Sequence, residues 1–218
     1  MPHDTTLDHL RAHHGDFELF RDLMVKSSDG RFGPVFWGVF DQYVRPRLGE
    51  RASVVDVGCG PGGLFAPLRA RVPHGDVVGL EIQPAMLNTA HARAAELGGV
   101  RVVAADVSAP LPLSDGAHDA AVVSMVLHEM PYPLALLREL HRVIRPGGAL
   151  LVFDWVRQPL ASYAAGAELT PDLIQHFREH CLYAPGDLAF LAESCGFEVL
   201  EVIGRRGGNH AMLALART

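Results

Sequence analysis

Val55-Asp56-Val57-Gly58-Cys59-Gly60-Pro61-Gly62-Gly63 constrains this chain more than any other segment. A β-branched run enters a glycine cluster, and an apolar helical pattern leaves it. Gly58 permits the sharp turn, Gly60 lets the backbone approach a ligand, and Gly63 lets helix and strand pack closely. The N–H groups that open the next helix have no intrahelical partners, so they offer donors to an acceptor. Sterics alone can demand a glycine turn. Here the context adds a ligand: the next strand-like run closes on Glu81, whose carboxylate accepts both hydrogens of a ribose diol.

Five strand-like runs follow one another, Ser53–Val57, Asp76–Glu81, Val100–Ala104, Asp119–Ser124 and Ala149–Asp154. Between them, apolar residues recur three or four apart over 62–72, 84–97 and 134–144. In the last pattern Leu134, Leu137, Leu140 (or His141) and Ile144 share one face, and Pro146-Gly147-Gly148 stops the helix. Unbroken apolar strands spaced by helices predict a parallel sheet covered on both faces. Two closing runs, Glu198–Ile203 and His210–Ala216, flank a glycine-rich turn and predict an antiparallel pair at the sheet edge. The expected fold is α/β: a doubly wound, Rossmann-like sheet of seven strands, mostly parallel with an antiparallel C-terminal strand. Its ligand belongs outside the carboxyl ends of the strands.

Residues 1–50 predict a helical N-terminal cap, with Phe17, Leu19, Phe20, Leu23 and Met24 in one stretch and Val35, Phe36, Val39, Phe40 and Val44 in another. Residues 51–218 form the ligand-binding domain, with 155–195 a strand-free insertion over the substrate. Helices there open at Thr170-Pro171-Asp172 and Pro185-Gly186-Asp187. In this region Tyr163 and Tyr183 are better pocket candidates than the phenylalanines, because each carries a polar handle.

Composition excludes several function classes. With 49% hydrophobic residues among 218, the chain can bury a full core without metal or disulfide staples. A net charge of −6 lacks the basic face that grips nucleic acid. Lys26 is the single lysine, so no P-loop lysine follows a glycine run. Cys59, Cys181 and Cys195 are widely spaced and form no C-x-x-C pair, which fits a reducing, cytoplasmic setting. The N-terminus is polar, and no apolar run approaches a membrane span.

In motif order the sequence resembles the class I S-adenosylmethionine-dependent methyltransferases, in particular their small-molecule group. The V-D-V-G-C-G-P-G loop carries Asp56 two residues before Gly58, as the family's first motif does. Glu81 matches the ribose-binding acid, and Asp106, in Ala105-Asp106-Val107, matches the acid on the adenine amino group. Asp119 opens the fourth strand, Arg145-Pro146-Gly147-Gly148 matches the turn before the fifth, and Gly196-Phe197 precedes the sixth. The resemblance covers 53–216 and implies S-adenosyl-L-methionine as cofactor, with S-adenosyl-L-homocysteine as product. It assigns cofactor contacts to Asp56, Gly58, Cys59, Gly60, Gly63, Glu81, Ile82, Asp106, Val107, Ser124 and Met125.

Methyl transfer from a sulfonium is an in-line displacement that needs alignment of the acceptor and exclusion of water. A base is needed only where the acceptor must lose a proton. In Ser124-Met125-Val126-Leu127-His128-Glu129-Met130, His128 is the leading candidate, since imidazole titrates near neutral pH. Glu129 ranks below it, and Asp154, at the end of the fifth strand, points towards substrate. The acceptor is expected to be a small organic molecule, with no nucleic acid or membrane partner and a monomer or homodimer as the working form. No Asn/Asp-Pro-Pro-Tyr/Phe signature follows the fourth strand.

His176-Phe177-Arg178-Glu179-His180 spells H-x-x-E-H, a zinc-protease pattern, but in a chain with 12 histidines it is expected to be a polar cap helix, and no metal site is expected. The rivals are an NAD(P)-dependent oxidoreductase, since Gly58-x-Gly60-x-x-Gly63 also spells the dinucleotide fingerprint, and a non-catalytic S-adenosylmethionine-binding protein. An arsenite-type enzyme would need more cysteines near the acceptor.

Overall fold

Apolar strands take buried positions in the computed structural model, which describes residues 6–130, 132–159, 169–171, 174, 175, 178, 183–204 and 209–218. The strands are β1 (Ser53–Val57), β2 (Asp76–Glu81), β3 (Val100–Ala104), β4 (His118–Ser124), β5 (Ile144–Trp155), β6 (Phe197–Gly204) and β7 (His210–Arg217). They form one sheet in the order β3-β2-β1-β4-β5-β7-β6. β1 pairs in parallel with β2 and β4, β2 with β3, and β4 with β5. β7 runs antiparallel between β5 and β6. The strand order reverses between β1 and β4, which opens a crevice at their carboxyl ends.

Side-chain alternation divides the core between two layers. On one face Val55, Val57, Val78, Leu80, Ala121 and Val123 meet Leu136, Leu137, Leu140 and Val143 of α6 (Leu134–Val143) and Leu188 of α7 (Pro185–Ser194). On the other, Val54, Val77, Ala120 and Val122 meet Phe65 and Leu68 of α4 (Phe65–Arg71) and Ala90 and Ala94 of α5 (Pro84–Leu97). Each fully buried Leu or Phe contributes about 1.5–3 kcal/mol of apolar transfer.

Three local expectations change. α4 begins at Phe65, not 62, because the glycine loop occupies the first turn of the expected helix. α6 buries Leu136, Leu137, Leu140 and Val143 while Leu134 is half-exposed, and Ile144 already belongs to β5. Pro146-Gly147-Gly148 lies inside β5 as a bulge: Ile144 pairs with His118 and Ala149 with Ala120, so 145–148 stand opposite Asp119 alone. Asp119 closes that bulge, accepting from Arg145 Nε at 2.9 Å and from the Ser53 amide at 2.9 Å.

The N-terminal fifty residues divide in two. α1 (Thr6–His14) and α2 (Phe17–Arg31) place residues over the crevice, with Leu19 and Leu23 on the outer surface at 71% and 57% exposure rather than in the core. α3 (Pro34–Val39), continued by a π turn (Phe40–Val44) and a 3-10 turn (Arg45–Arg47), instead packs Phe36, Val39, Phe40 and Val44 against the sheet. Among the described residues no helix is long and apolar enough to cross a membrane.

Candidate functional site

The glycine loop takes the backbone shape its sequence demands. Gly58, Gly60 and Gly62 have φ of 64°, 53° and 79°, a region closed to most side chains. A methyl group on Gly58 would strike Cγ2 of Val126, whereas one on Gly60 meets no protein atom within 4 Å. Gly60 therefore borders open space, as its expected closeness to a ligand requires. The tight packing assigned to Gly63 falls on its neighbour: a Cβ on Gly62 would overlap the Phe65 ring, while Gly63 lines the cavity.

Glu81, at the end of β2, ties the loop down. Its Oε2 accepts from the Gly60 amide at 2.9 Å, and Oε1 accepts from the amides of Ile82 and Gln83, each at 2.8 Å. The Gly60 N–H is thus committed to Glu81. A carboxylate offers about four acceptor sites, so one remains for a hydroxyl donor. The Cys59 amide donates to the Leu80 carbonyl at 2.9 Å, and burial pushes its thiol well above the ordinary range, leaving it unreactive.

A cavity of about 880 Å³ opens here. Its wall includes all eleven expected cofactor contacts, Asp56, Gly58, Cys59, Gly60, Gly63, Glu81, Ile82, Asp106, Val107, Ser124 and Met125, together with His128. α1 and α2 complete the wall with Thr6, His9, Leu10, His14, Phe20, Met24 and Arg31.

Asp56 is 2% exposed, and burial, followed by the nearby Glu81 charge, raises its carboxyl to about 8. On the side of the glycine loop and β4, Asp56 Oδ2, Gln83 Oε1 and Ser124 Oγ are buried with no hydrogen-bond partner among the described residues, and on α1 His14 Nδ1 is another such atom. Buried acceptors left unpaired are costly. Ammonium, hydroxyl and amino donors would satisfy such atoms, and S-adenosylmethionine carries all three, so the residues fit that cofactor. Asp106 accepts from the Ser108 amide at 2.8 Å and from Thr6 Oγ1 of α1 at 2.6 Å.

Past β4, Met125 is the one non-glycine residue of positive φ (59°) among those described, and its amide donates to the Phe153 carbonyl at 2.8 Å. A 3-10 turn (Leu127–Glu129) follows. Asp154 is fully buried beneath it and does not face substrate. Oδ2 accepts from the Val126 and Leu127 amides at 3.0 and 2.7 Å, and Oδ1 from the Trp155 amide at 2.8 Å. Oδ1 also lies 2.6 Å from His128 Nδ1, while His128 Nε2 is 3.2 Å from Glu129 Oε1.

Both ring nitrogens of His128 therefore face carboxylates, and His128 is held as the imidazolium. Burial opposes that charge, but Asp154 and Glu129 outweigh it and raise the pKa to about 10. In that form the ring has no lone pair with which to act as the expected base. Glu129 is correspondingly drawn well below the carboxylate range: its desolvation is overcome by the hydrogen bonds from His128 and His14. His14 of α1 reaches the same oxygen, Nε2 to Oε1, at 3.1 Å.

Sequence reasoning missed Gln83, Thr6 and His14. Gln83 immediately follows the Glu81-Ile82 pair and was within reach of the motif. Thr6 and His14 carry no motif, and only the docking of α1 makes them part of the site. Phe20, Phe32 and Trp155 line the cavity, whereas Tyr183 packs against the core. Tyr163, His176, His180 and Cys181 lie outside the described residues. Among the described residues no three His, Cys, Asp or Glu side chains converge on a metal position.

A doubly wound sheet with an acid-tipped glycine loop and a cavity at its switch point defines a nucleoside-cofactor-binding α/β protein. Comparison with known proteins narrows the class. The family described as Methyltransferase domain matches residues 55–152. Ubiquinone biosynthesis O-methyltransferase of Xanthomonas euvesicatoria is 30% identical over 174 residues, which are 75% of this chain and 70% of that protein. Trans-aconitate 2-methyltransferase of Methylobacterium nodulans is 38% identical over 128 residues, 59% of this chain and 46% of that one. A solved SAM-dependent methyltransferase from Aquifex aeolicus shares the fold with a TM-score of 0.65 at 21% identity, across 91% of this chain and 98% of that one. The chain belongs to the class I S-adenosylmethionine-dependent methyltransferases, whose cofactor is S-adenosylmethionine. It spans 32% to 50% of the length of several of the curated relatives it matches.

Proposed function

We propose that this chain transfers a methyl group from S-adenosylmethionine to a small organic acceptor. One observation carries the reading: three unpaired buried polar atoms, on Asp56, Gln83 and Ser124, share a cavity wall with the Glu81-anchored glycine loop. When bound, the cofactor supplies an electrophilic methyl carbon on a sulfonium. Glu81 would hold the ribose, Asp106 the adenine edge and Asp56 the cationic methionine end. Met125, fixed at positive φ, and Ser124 would line the methionine side of the site.

α1 and α2, together with Trp155, cover the cavity and exclude water, as an in-line displacement requires. The acceptor stands on the side of His14, Phe20, Arg31, His128 and Glu129. Net charge −6 supports a small-molecule acceptor over nucleic acid, and the sparse, unpaired cysteine pattern supports a reducing, cytoplasmic setting.

Thermal-shift titration with S-adenosylmethionine, S-adenosylhomocysteine and NAD tests the assignment. Stabilisation by the two adenosyl ligands and not by NAD is expected. Stabilisation by NAD alone would replace the reading with an oxidoreductase.

A further inference from the structure

His14 ends α1, and its Nε2 lies 3.1 Å from Glu129 Oε1, 115 positions further along the chain. An imidazole nitrogen that faces a carboxylate oxygen carries the proton. In the neutral ring the lone pair then sits on Nδ1. That atom is buried and has no hydrogen-bond partner among the described residues, while the ring lines the cavity and stacks on Phe20 at 3.9 Å between centroids. His128, the other imidazole on Glu129, is occupied at both nitrogens, by Asp154 at 2.6 Å and Glu129 at 3.2 Å.

We propose that the proton-accepting group of the acceptor site is His14, delivered by the N-terminal helix and oriented by Glu129, with His128 as a fixed imidazolium that positions Glu129. This rests on the methyltransferase reading and names its base and acceptor class: an acceptor whose nucleophilic heteroatom bears a proton that must leave. The acceptor's heteroatom–H bond breaks, its proton forms an N–H bond at His14 Nδ1, and the electron pair left on that atom forms the bond to the methyl carbon as the methyl–sulfur bond breaks and leaves its pair on sulfur. The resulting His14 imidazolium is stabilised by the ionised Glu129 it already contacts. Placing the base on α1 makes proton removal depend on the docking of that helix at the cavity.

Other charged and titratable groups surround the pair. Glu81 at the end of β2 lies within electrostatic reach of His14. His9 on α1 and Arg31 on α2 share the cavity wall, and Asp154 on β5 lies beneath His128. None of these contacts changes the order of roles, because Glu129 is the carboxylate in direct contact with both rings.

Nitrogen NMR of the full chain labelled in its histidine rings, with S-adenosylhomocysteine present, tests the assignment without a known acceptor. His14→Gln and His128→Gln identify the signals. At neutral pH His14 should show one protonated nitrogen, Nε2, and one bare nitrogen, Nδ1, while His128 shows both protonated. Glu129→Gln should move both rings, lowering the pH at which His128 loses its proton.

A His14 ring that is cationic at neutral pH, or bare at Nε2, would overturn the proposal. So would a neutral His128, or spectra unchanged by Glu129→Gln. Calorimetry with S-adenosylhomocysteine on the same sample keeps the two readings apart. Absence of binding defeats the cofactor assignment, whereas binding with the wrong histidine states defeats only the role of His14.

Discussion

The Gly60 amide donates a 2.9 Å hydrogen bond to Oε2 of Glu81, so the glycine loop and the tip of β2 form one rigid cradle. The residue expected to hold the ribose also shapes the loop that receives the cofactor. Glu81→Gln would place an amide nitrogen against either the Gly60 N–H or the Ile82 and Gln83 N–H groups, donor against donor. A loss of about 1–3 kcal/mol is expected. S-adenosylhomocysteine affinity should fall by roughly 10–100-fold, read by calorimetry, with unfolding also earlier in a thermal melt.

Asp56 trades stability for binding. Its carboxyl titrates near 8 in the folded chain against 3.8 ordinarily. Between these values the unfolded chain is ionised while the folded one keeps its proton, so folded stability falls as pH rises through the window. Asp56→Asn removes that dependence. Without cofactor at mildly alkaline pH the variant should be more stable by about 0.5–2 kcal/mol, yet bind S-adenosylmethionine more weakly. Melting curves across pH and a titration separate the two effects.

Two glycine substitutions should fail differently. Gly58→Ala meets both a φ of 64° and the Val126 side chain, and should unfold the chain at a markedly lower temperature. Gly60→Ala meets only the strain of φ 53°, a cost of about 1–2 kcal/mol. Its methyl enters the cavity, so cofactor affinity should suffer more than stability. Equal losses in melting temperature for the two would contradict this distinction.

Asp154 bears on stability more than on substrate. Asp154→Ala strands the amides of Val126, Leu127 and Trp155 and leaves His128 with one carboxylate. A destabilisation of about 3–5 kcal/mol is expected from breaking a buried pair. The linked pH dependence has a definite sign. The His128 pKa is raised from 6.5 to about 10, so its contribution is full below 6.5 and is lost as pH rises through about 10. Denaturant titrations between neutral pH and pH ~10 should show this loss in the parent and not in His128→Gln.

How much of this was legible without coordinates differs by element. β1, β2 and β3 fall on the expected residues, because each is a short β-branched run closed by turn chemistry. β5 was foreshortened. Pro146-Gly147-Gly148 reads locally as a helix stop, and only pairing with β4 reveals it as a bulge within a longer strand. Leu19 and Leu23 stand in an expected helix and are exposed, because helical spacing marks a face without saying which face finds a partner.

For the candidate site, Asp56, Glu81 and Asp106 could be singled out, and share the cavity wall, because each stands at or beside a strand's carboxyl end, where a doubly wound sheet converges its loops. His128 was found for its residue type, but its protonation depends on Asp154 and Glu129 lying on either side of one ring. Local sequence thus determined the strands, the glycine turn and the acids at their tips, since backbone sterics and side-chain alternation act over a few residues. The tertiary structure alone decided which residues of α1 meet the cavity and which histidine keeps a lone pair. Those outcomes depend on burial and on charges brought together from positions as far apart as 14 and 129, which no local pattern encodes.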